Sequence, residues 1–247
     1  MPQKSTPILA ANPNQENHIP SDQHSDIAHI AYQVAPGPKL MRAGNKMPGQ
    51  GGFLYLSPEP SVLRGNYNFF LQQILRECQA RRYLGVIADL PPHYGALAAD
   101  MDRLLDANGL ALYLPDSYAQ QAPHAKLMCS TAISGGSLRH RLMDTIRRHG
   151  RERVVPALER TAADFLLPSA NGKGTSLSSE SLSLLRTRVH PDLYWSSDLC
   201  ARYFTYSDQG QPHFVLFDDG DSLRAKLRLA NELGLSRCLV AWGDLQV

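Results

Sequence analysis

Cysteine is scarce in this chain of 247 residues, and its pattern points to no metal or disulfide framework. The four cysteines, Cys78, Cys129, Cys200 and Cys238, form no CxxC pair. Such scattered thiols predict buried free cysteines in a reducing compartment. We therefore expect no bound metal and no other cofactor.

Long hydrophobic runs and concentrated charge of one sign are also missing. No apolar stretch is long enough to span a bilayer, and the amino terminus, MPQKSTPILAANPNQ, lacks the charged start and apolar run of a secretory signal. These absences predict a cytoplasmic protein without a membrane span. The formal net charge is +2, and no block of basic residues is interleaved with aromatics, so we expect no nucleic-acid partner.

The first 25 residues have few large apolar side chains and are rich in Pro, Gln, Asn, Ser and His. A segment of this kind buries too little surface to offset the entropy lost on ordering, so we predict a disordered tail over residues 1–25. Apolar residues make up 43% of the whole chain, which is enough for a sizeable core. We expect residues 26–247 to form a single domain.

Short apolar runs alternate with helical segments along this domain. HIAYQVA (29–35), FLYLS (53–57), LGVIADL (84–90), LALYLP (110–115), AKLMCST (125–131) and RVVPAL (153–158) predict strands, whereas 66–83, 96–109 and 137–150 have apolar residues at helical spacing. Segment 178–188 looks helical, and 202–217 looks like a hairpin. The alternation predicts an α/β fold with parallel strands, either a (β/α)8 barrel or an open doubly wound sheet. No GxGxxG or GxxxxGK[ST] motif follows a strand, which favours the barrel.

The carboxyl-terminal stretch HFVLFDDGDSLRAKLRLANELGLSRCLVAW (213–242) resembles the last helix and strand of glycoside hydrolase family 18, especially its chitinase-like and spore cortex-lytic members. LGVIADLPPHYGALAADMDRLLDANGLALYLP, KLMCST and SLRHRLMDTIRRHGRERVVPAL resemble, in the same order, that family's fourth to seventh strands and their helices. The chain is identified as a degenerate member. The resemblance implies a (β/α)8-type TIM barrel, trimmed or distorted in its N-terminal strands because residues 1–65 match poorly.

The resemblance also implies a chemistry that this chain has lost. The family's fourth strand carries an Asp-x-Asp-x-Glu pattern, whose glutamate protonates the glycosidic oxygen and whose last aspartate orients the acetamido group. Here only Asp89 matches an acidic position, Ile87 replaces an aspartate, and Pro91 stands where the acid belongs. Met-Cys-Ser at 128–130 replaces the usual tyrosine of the sixth strand. General acid catalysis contributes roughly 10²–10⁴-fold, so we predict a pseudoenzyme.

Several residues near the predicted strand ends are candidates for a site. The candidate ligand-binding residues are Asp89, Tyr113, Trp242, His93 and Tyr118, with Trp242 as the sugar platform that the resemblance implies. The candidate substitute catalytic carboxylates are Asp89, Asp116 and Glu159. Each has a plain structural alternative: a turn cap for Asp89, a core tryptophan for Trp242, and solvated loop carboxylates for the others.

Three functions remain open at this point. The preferred one is a non-catalytic barrel that binds a glycan containing N-acetylglucosamine, such as peptidoglycan, or a protein partner. The others are an active glycoside hydrolase that uses Asp89 with Glu159 or Asp116, and a scaffold without a ligand. A predicted insertion at about 168–200 carries Tyr194 and Trp195, which would cover the barrel mouth or contact a partner.

Overall fold

The computed structural model describes residues 5–20, 26–169 and 172–245. Its strands are β1 (Thr6–Ala11), β2 (Ile27–His29), β3 (Tyr32–Ala35), β4 (Lys39–Arg42), β5 (Phe53–Leu56), β6 (Gly85–Ala88), β7 (Ala111–Pro115), β8 (Lys126–Ser130), β9 (Val154–Leu158), β10 (Ala162–Leu166), β11 (Thr175–Ser176), β12 (Tyr194–Ser196), β13 (Ala201–Asp208), β14 (Gln211–Phe217) and β15 (Arg237–Ala241). Its α-helices are α1 (Asn68–Arg81), α2 (Gly95–Asp106), α3 (Leu138–His149), α4 (Ser179–Val189), α5 (Gly220–Glu232) and α6 (Trp242–Leu245). None of these helices is both long and apolar enough to cross a membrane.

Eight strands close into a parallel barrel in the order β1-β2-β5-β6-β7-β8-β9-β15. The last strand lies beside the first, with Thr6 opposite Arg237 and Ala10 opposite Ala241. This closure confirms the predicted TIM-barrel fold. The N-terminal strands are not trimmed as predicted, since all eight strands are present; the departures from a regular barrel lie in the connections between strands.

The prediction of a disordered tail is wrong for residues 5–20. The run TPILAA forms β1, which pairs with β15 on one side and β2 on the other. Ile8, Leu9 and Ala11 are buried there. The average composition of residues 1–25 does not reveal this strand, because the strand is only six residues long and has polar neighbours in the sequence. The remainder of the predicted tail, residues 1–4 and 21–25, lies outside the described residues.

The N-terminal connections are unusual for such a barrel. HIAYQVA, predicted as one strand, is divided: β2 ends at His29 in the barrel, and β3 starts a separate antiparallel hairpin with β4. Between β7 and β8 stands a short 3₁₀ turn, Asp116–Tyr118, in place of an α-helix. The described part of the connection from β1 to β2 contains the 3₁₀ turn Glu16–His18. Helices α1, α2, α3 and α5 lie in the connections β5–β6, β6–β7, β8–β9 and β9–β15 and bury their apolar faces against the strands.

Side chains alternate between the two faces of each barrel strand. Those that point inward fill the barrel with Ile8, Phe53, Ile87, Met128 and Leu239 among others. Those that point outward meet the helices, as Val86 and Leu112 do beneath α1 and α2. Because the interior is packed, a ligand can bind only at the ends of the barrel.

An antiparallel sheet is inserted between β9 and α5, with the strand order β11-β10-β14-β13-β12. It includes β10 and the predicted hairpin, β13 paired with β14, so the insertion is longer than the predicted 168–200. One face packs against Leu185 of α4. The opposite face packs through Phe165 and Leu216 against Ile133, in the loop after β8.

Candidate functional site

A cavity of about 620 Å³ opens at the carboxyl-terminal end of the barrel. Its walls come from the ends of β1, β5, β6, β7, β8, β9 and β15, and include the apolar side chains Met128 and Leu239. The three predicted carboxylates, Asp89, Asp116 and Glu159, all line this cavity. They meet because the carboxyl ends of parallel strands share one face of the barrel.

Asp89 follows β6 directly. Its backbone N–H donates to the Leu56 carbonyl at 2.8 Å, which continues the pairing with β5. Its side chain is exposed toward the cavity, and the Ser57 hydroxyl donates to Oδ2 at 3.4 Å. Loss of hydration against the barrel wall raises the pKa of Asp89, and the Ser57 hydrogen bond opposes this rise.

Glu159 occupies the corresponding position after β9. Its backbone N–H donates to the Thr131 hydroxyl at 3.4 Å. Burial is the main cause that raises the pKa of Glu159, and the negative charge of Asp89 adds to it. The Ser130 hydroxyl and the Lys226 ammonium oppose this rise. Asp89 and Glu159 are therefore two carboxylates that repel each other across one cavity.

Tyr55 is a site residue that the sequence analysis missed. It points inward from β5 among the barrel-filling residues and lines the cavity. Burial raises its pKa to about 12, and the charges of Asp89 and Glu159 contribute to the rise. Tyr55 is thus a neutral phenol that can donate a hydrogen bond. Alternation in FLYLS, which places Phe53, Tyr55 and Ser57 on one face, was the available signal.

The cavity wall also contains a fourth carboxylate, Asp244, and two arginines, Arg141 and Arg160. Arg141 Nη2 lies 3.7 Å from Asp116 Oδ2. Burial raises the pKa of Asp244, and the Arg160 guanidinium opposes that rise. Within the described residues, no Lys, Arg or His nitrogen lies within ion-pair distance, 4.0 Å, of Asp89 or Glu159. Among these four carboxylates of the described residues, Asp116 alone has an ion-pair partner within that distance, and a guanidinium, that of Arg160, opposes the pKa rise of Asp244.

A buried ion pair holds the wall that carries Glu159. Lys226 Nζ lies 2.8 Å from Asp218 Oδ1, and the two side chains are 1% and 3% exposed. Lys226 also donates to the Glu159 carbonyl at 3.3 Å. Asp218 Oδ2 accepts from the backbone N–H and the hydroxyl of Thr161, at 3.2 and 3.1 Å. Segment 159–161 is thereby fixed to the start of α5.

Helix α5 starts at a fixed position, which places Lys226 behind the cavity. The Asp219 side chain accepts from the Ser222 backbone N–H at 2.9 Å, and the Ser222 hydroxyl accepts from the Asp219 backbone N–H at 3.2 Å. This reciprocal capping box satisfies donors that the first turn would leave unpaired. Arg202 of β13 also binds Asp219, with Nε 2.6 Å from Oδ2, so the inserted sheet is anchored at the same point.

Three of the predicted ligand-binding residues lie outside the cavity wall. Tyr113 is buried inside the barrel, edge-on to Phe53 with ring centroids 5.3 Å apart. The buried Tyr118 donates its hydroxyl to the Pro91 carbonyl and accepts from the Tyr94 backbone N–H at 3.2 Å. His93 is exposed in the same loop, with a φ of 76°. These side chains fill the barrel or fix the loop after β6, and none of them lines the cavity.

The position of Trp242 also differs from the prediction. Along β15, Leu239 belongs to the barrel interior, whereas Cys238 and Val240 belong to the outer layer. Trp242, the first residue of α6, packs with this outer layer. Ala241 stands at the cavity in its place, so β15 offers no aromatic platform.

Pro91, Tyr194 and Trp195 do not line the cavity either. Tyr194 and Trp195 lie on β12, the edge strand of the inserted sheet, and are 49% and 41% exposed. The Arg202 guanidinium lies 5.7 Å from the Trp195 ring centroid. These two aromatics therefore do not cover the barrel mouth.

Solved structures with this architecture include enzymes of two kinds. The spore cortex-lytic enzyme SleL of Bacillus cereus has a TM-score of 0.66 and 14% identity, covering 99% of this chain and 72% of that one. The chitinase of Chromobacterium violaceum has a TM-score of 0.65 and 14% identity, covering 97% and 95%. A mutant class V chitinase from Nicotiana tobaccum, in complex with NAG4, has a TM-score of 0.63 and 12% identity, covering 97% and 94%.

The chain has the fold of these enzymes. At such low identity the likeness concerns the fold, and it confirms at that level the resemblance that the sequence indicated. No protein-family model matches the chain, and no curated protein sequence matches it.

Proposed function

We propose that the protein binds a glycan of the N-acetylglucosamine type at the barrel mouth and does not hydrolyse it by the route of the family it resembles. The observation that carries this proposal is the cavity itself, which is lined by Asp89, while Pro91, at the position where the resemblance places the acid, lies outside its lining. Its volume of about 620 Å³ lies within the range of cavities that bind small ligands, such as a sugar. An open cavity also favours a ligand over a scaffold role.

The absence of hydrolysis follows from the position of Pro91. A proline carries no proton to donate, and its carbonyl accepts the hydroxyl of Tyr118, which fixes the loop. The side chain does not line the cavity. A leaving group bound beside Asp89 would thus find no acid at this position, and general acid catalysis would be lost.

The cavity offers the mixture of groups that a sugar ring needs. Met128, Leu239 and Ala241 present apolar surface for the ring's C–H groups. Tyr55 offers a neutral hydroxyl and Asp89 offers acceptor oxygens for sugar hydroxyls. Binding sites for small ligands commonly combine apolar walls with a few oriented polar groups in this way. The NAG4 complex of a chitinase with the same fold supports the choice of ligand.

Calorimetric titration with the tetramer of N-acetylglucosamine and with peptidoglycan fragments tests the proposal. We expect binding without release of new reducing ends. Tyr55→Phe should weaken binding about two- to tenfold, since it removes one hydrogen bond worth about 0.5–1.5 kcal/mol. Tyr67→Phe is the matched control, because the Tyr67 hydroxyl donates to the Leu63 carbonyl at 3.1 Å, away from the cavity. No heat with any of these glycans would reject the proposal.

One observation favours a second candidate, a hydrolase with substitute carboxylates. Asp89 and Glu159 share the cavity, and burial raises the pKa of each. A carboxyl group that keeps its proton longer can act as an acid beside a second carboxylate. Release of reducing ends from the tetramer, abolished by Glu159→Gln and retained in Tyr67→Phe, would support this candidate over simple binding.

A further inference from the structure

The charges around the cavity are unequal. Its lining contains four carboxylates, Asp89, Asp116, Glu159 and Asp244, and two guanidinium groups, those of Arg141 and Arg160. Two negative charges are therefore in excess when all six groups are ionised. A ligand that brings positive charge would reduce the repulsion inside this confined space.

The excess belongs to two particular residues. Arg141 lies 3.7 Å from Asp116, and the Arg160 guanidinium opposes the rise in the pKa of Asp244, so the two positive charges act on these two carboxylates. Lys226 lies near Glu159, but its ammonium group is held by Asp218 in a fully buried pair. Asp89, Glu159 and Asp244 have no ion-pair partner within 4.0 Å among the described residues, but only at Asp244 does a guanidinium oppose the pKa rise, so the excess charge falls mainly on Asp89 and Glu159.

The surroundings of these two carboxylates fit an ammonium group better than other cations. No group of three or more His, Cys, Asp or Glu side chains in the described ranges is placed to hold a metal ion. A single ammonium group has three donors, a number that matches two carboxylates and one further acceptor. A neutral acetamido group has only one donor and adds a carbonyl oxygen that would face the two carboxylates.

We infer that the cavity selects amino-sugar units whose nitrogen is free, and therefore carries an ammonium group, over N-acetylated units. The inference rests on the proposed function and names its substrate class: de-N-acetylated stretches of an N-acetylglucosamine-type polymer. Asp89 and Glu159 form the cation site, and Tyr55 lies close enough for both charges to act on its hydroxyl.

The test compares two glucosamine tetramers, one fully N-acetylated and one fully de-N-acetylated, by calorimetry with the full chain in slightly acidic buffer. We expect the de-N-acetylated tetramer to bind at least about tenfold more tightly, because charge-assisted hydrogen bonds are the stronger kind. Asp89→Asn and Glu159→Gln should each remove most of this preference. Asp144→Asn, on the exposed face of α3, should retain it.

Each outcome decides a different question. Equal or tighter binding of the acetylated tetramer would overturn the inference and leave the proposed function intact, whereas failure of both tetramers to bind would overturn both. If a variant does not fold, salt titration of the unmodified protein tests the ammonium contact instead. Affinity for the de-N-acetylated tetramer should fall with added salt, and an affinity independent of salt would overturn the ammonium contact.

Discussion

Replacing Lys226 by methionine would remove the ammonium group behind the cavity while keeping a side chain of similar length. The Nζ atom lies 2.8 Å from Asp218 Oδ1, and both side chains are almost completely buried. The replacement leaves the Asp218 carboxylate without its counter-ion in a place that water does not reach. It also removes the donor to the Glu159 carbonyl.

The expected loss of stability is large. Removing one partner of a buried ion pair costs about 3–5 kcal/mol, because the remaining charge is left unpaired. Asp218 keeps two donors from Thr161, at 3.2 and 3.1 Å, and these partly stabilise the orphaned carboxylate. We therefore expect the lower end, about 3 kcal/mol, which is a large part of a typical folding free energy of about 5–15 kcal/mol.

Urea unfolding followed by circular dichroism measures this loss, provided that the slope of the transition stays unchanged. Arg224→Met is the matched control on the same helix: Arg224 lies 2.7 Å from Asp221, but that pair is exposed, so little change is expected. Adding Asp218→Asn to Lys226→Met should recover part of the loss. The reasoning would be refuted if Lys226→Met and Arg224→Met unfolded at the same urea midpoint. It would also be refuted if the double variant were less stable than Lys226→Met alone.

Two further predictions concern the barrel wall and its pH dependence. A Cβ atom on Gly85 would lie 2.0 Å from the Ala111 carbonyl oxygen, so Gly85→Ala should destabilise the fold by at least about 1–3 kcal/mol in urea unfolding; Gly135→Ala, in open space, should change little. Because burial raises the pKa of Glu159, its carboxyl favours the fold below the ordinary value of 4.5 and loses that contribution as pH rises through the folded pKa. Glu159→Gln should therefore raise the melting temperature at neutral pH more than below pH 4.5, and an equal rise at both would contradict this sign.

The central strands could be predicted from the sequence because their signals are local. LGVIADL and LALYLP are short apolar runs that are followed by proline, and they form β6 and β7. The first strand could not be predicted in this way. TPILAA becomes a strand through pairing with β15, more than 220 positions away, and average composition does not register such a contact.

The candidate site, too, could be predicted only in part. The carboxylates after strands were predictable as neighbours, since every parallel strand ends at the same face of the barrel. The direction in which a side chain at the rim points was not predictable, because it depends on the position of each strand in the closed barrel. Trp242 points outward for this reason, whereas Tyr55, two residues after Phe53 on the same face, points into the cavity.

The two uncompensated carboxylates argue for a ligand on energetic grounds. Asp89 and Glu159 are partly desolvated and repel each other, so ionising both opposes folding. A barrel that served only as a scaffold would be more stable with amides or apolar side chains at these positions. Departures from the most stable choice are expected where a protein carries out its function. Hydrolysis by the route of the family that the chain resembles needs a proton donor at the position of Pro91, whereas the proposed binding needs only a cavity and groups that match the ligand's charge. The attachment of segment 159–161 through Lys226 and Asp218 keeps Glu159 at the cavity, as the proposed binding requires.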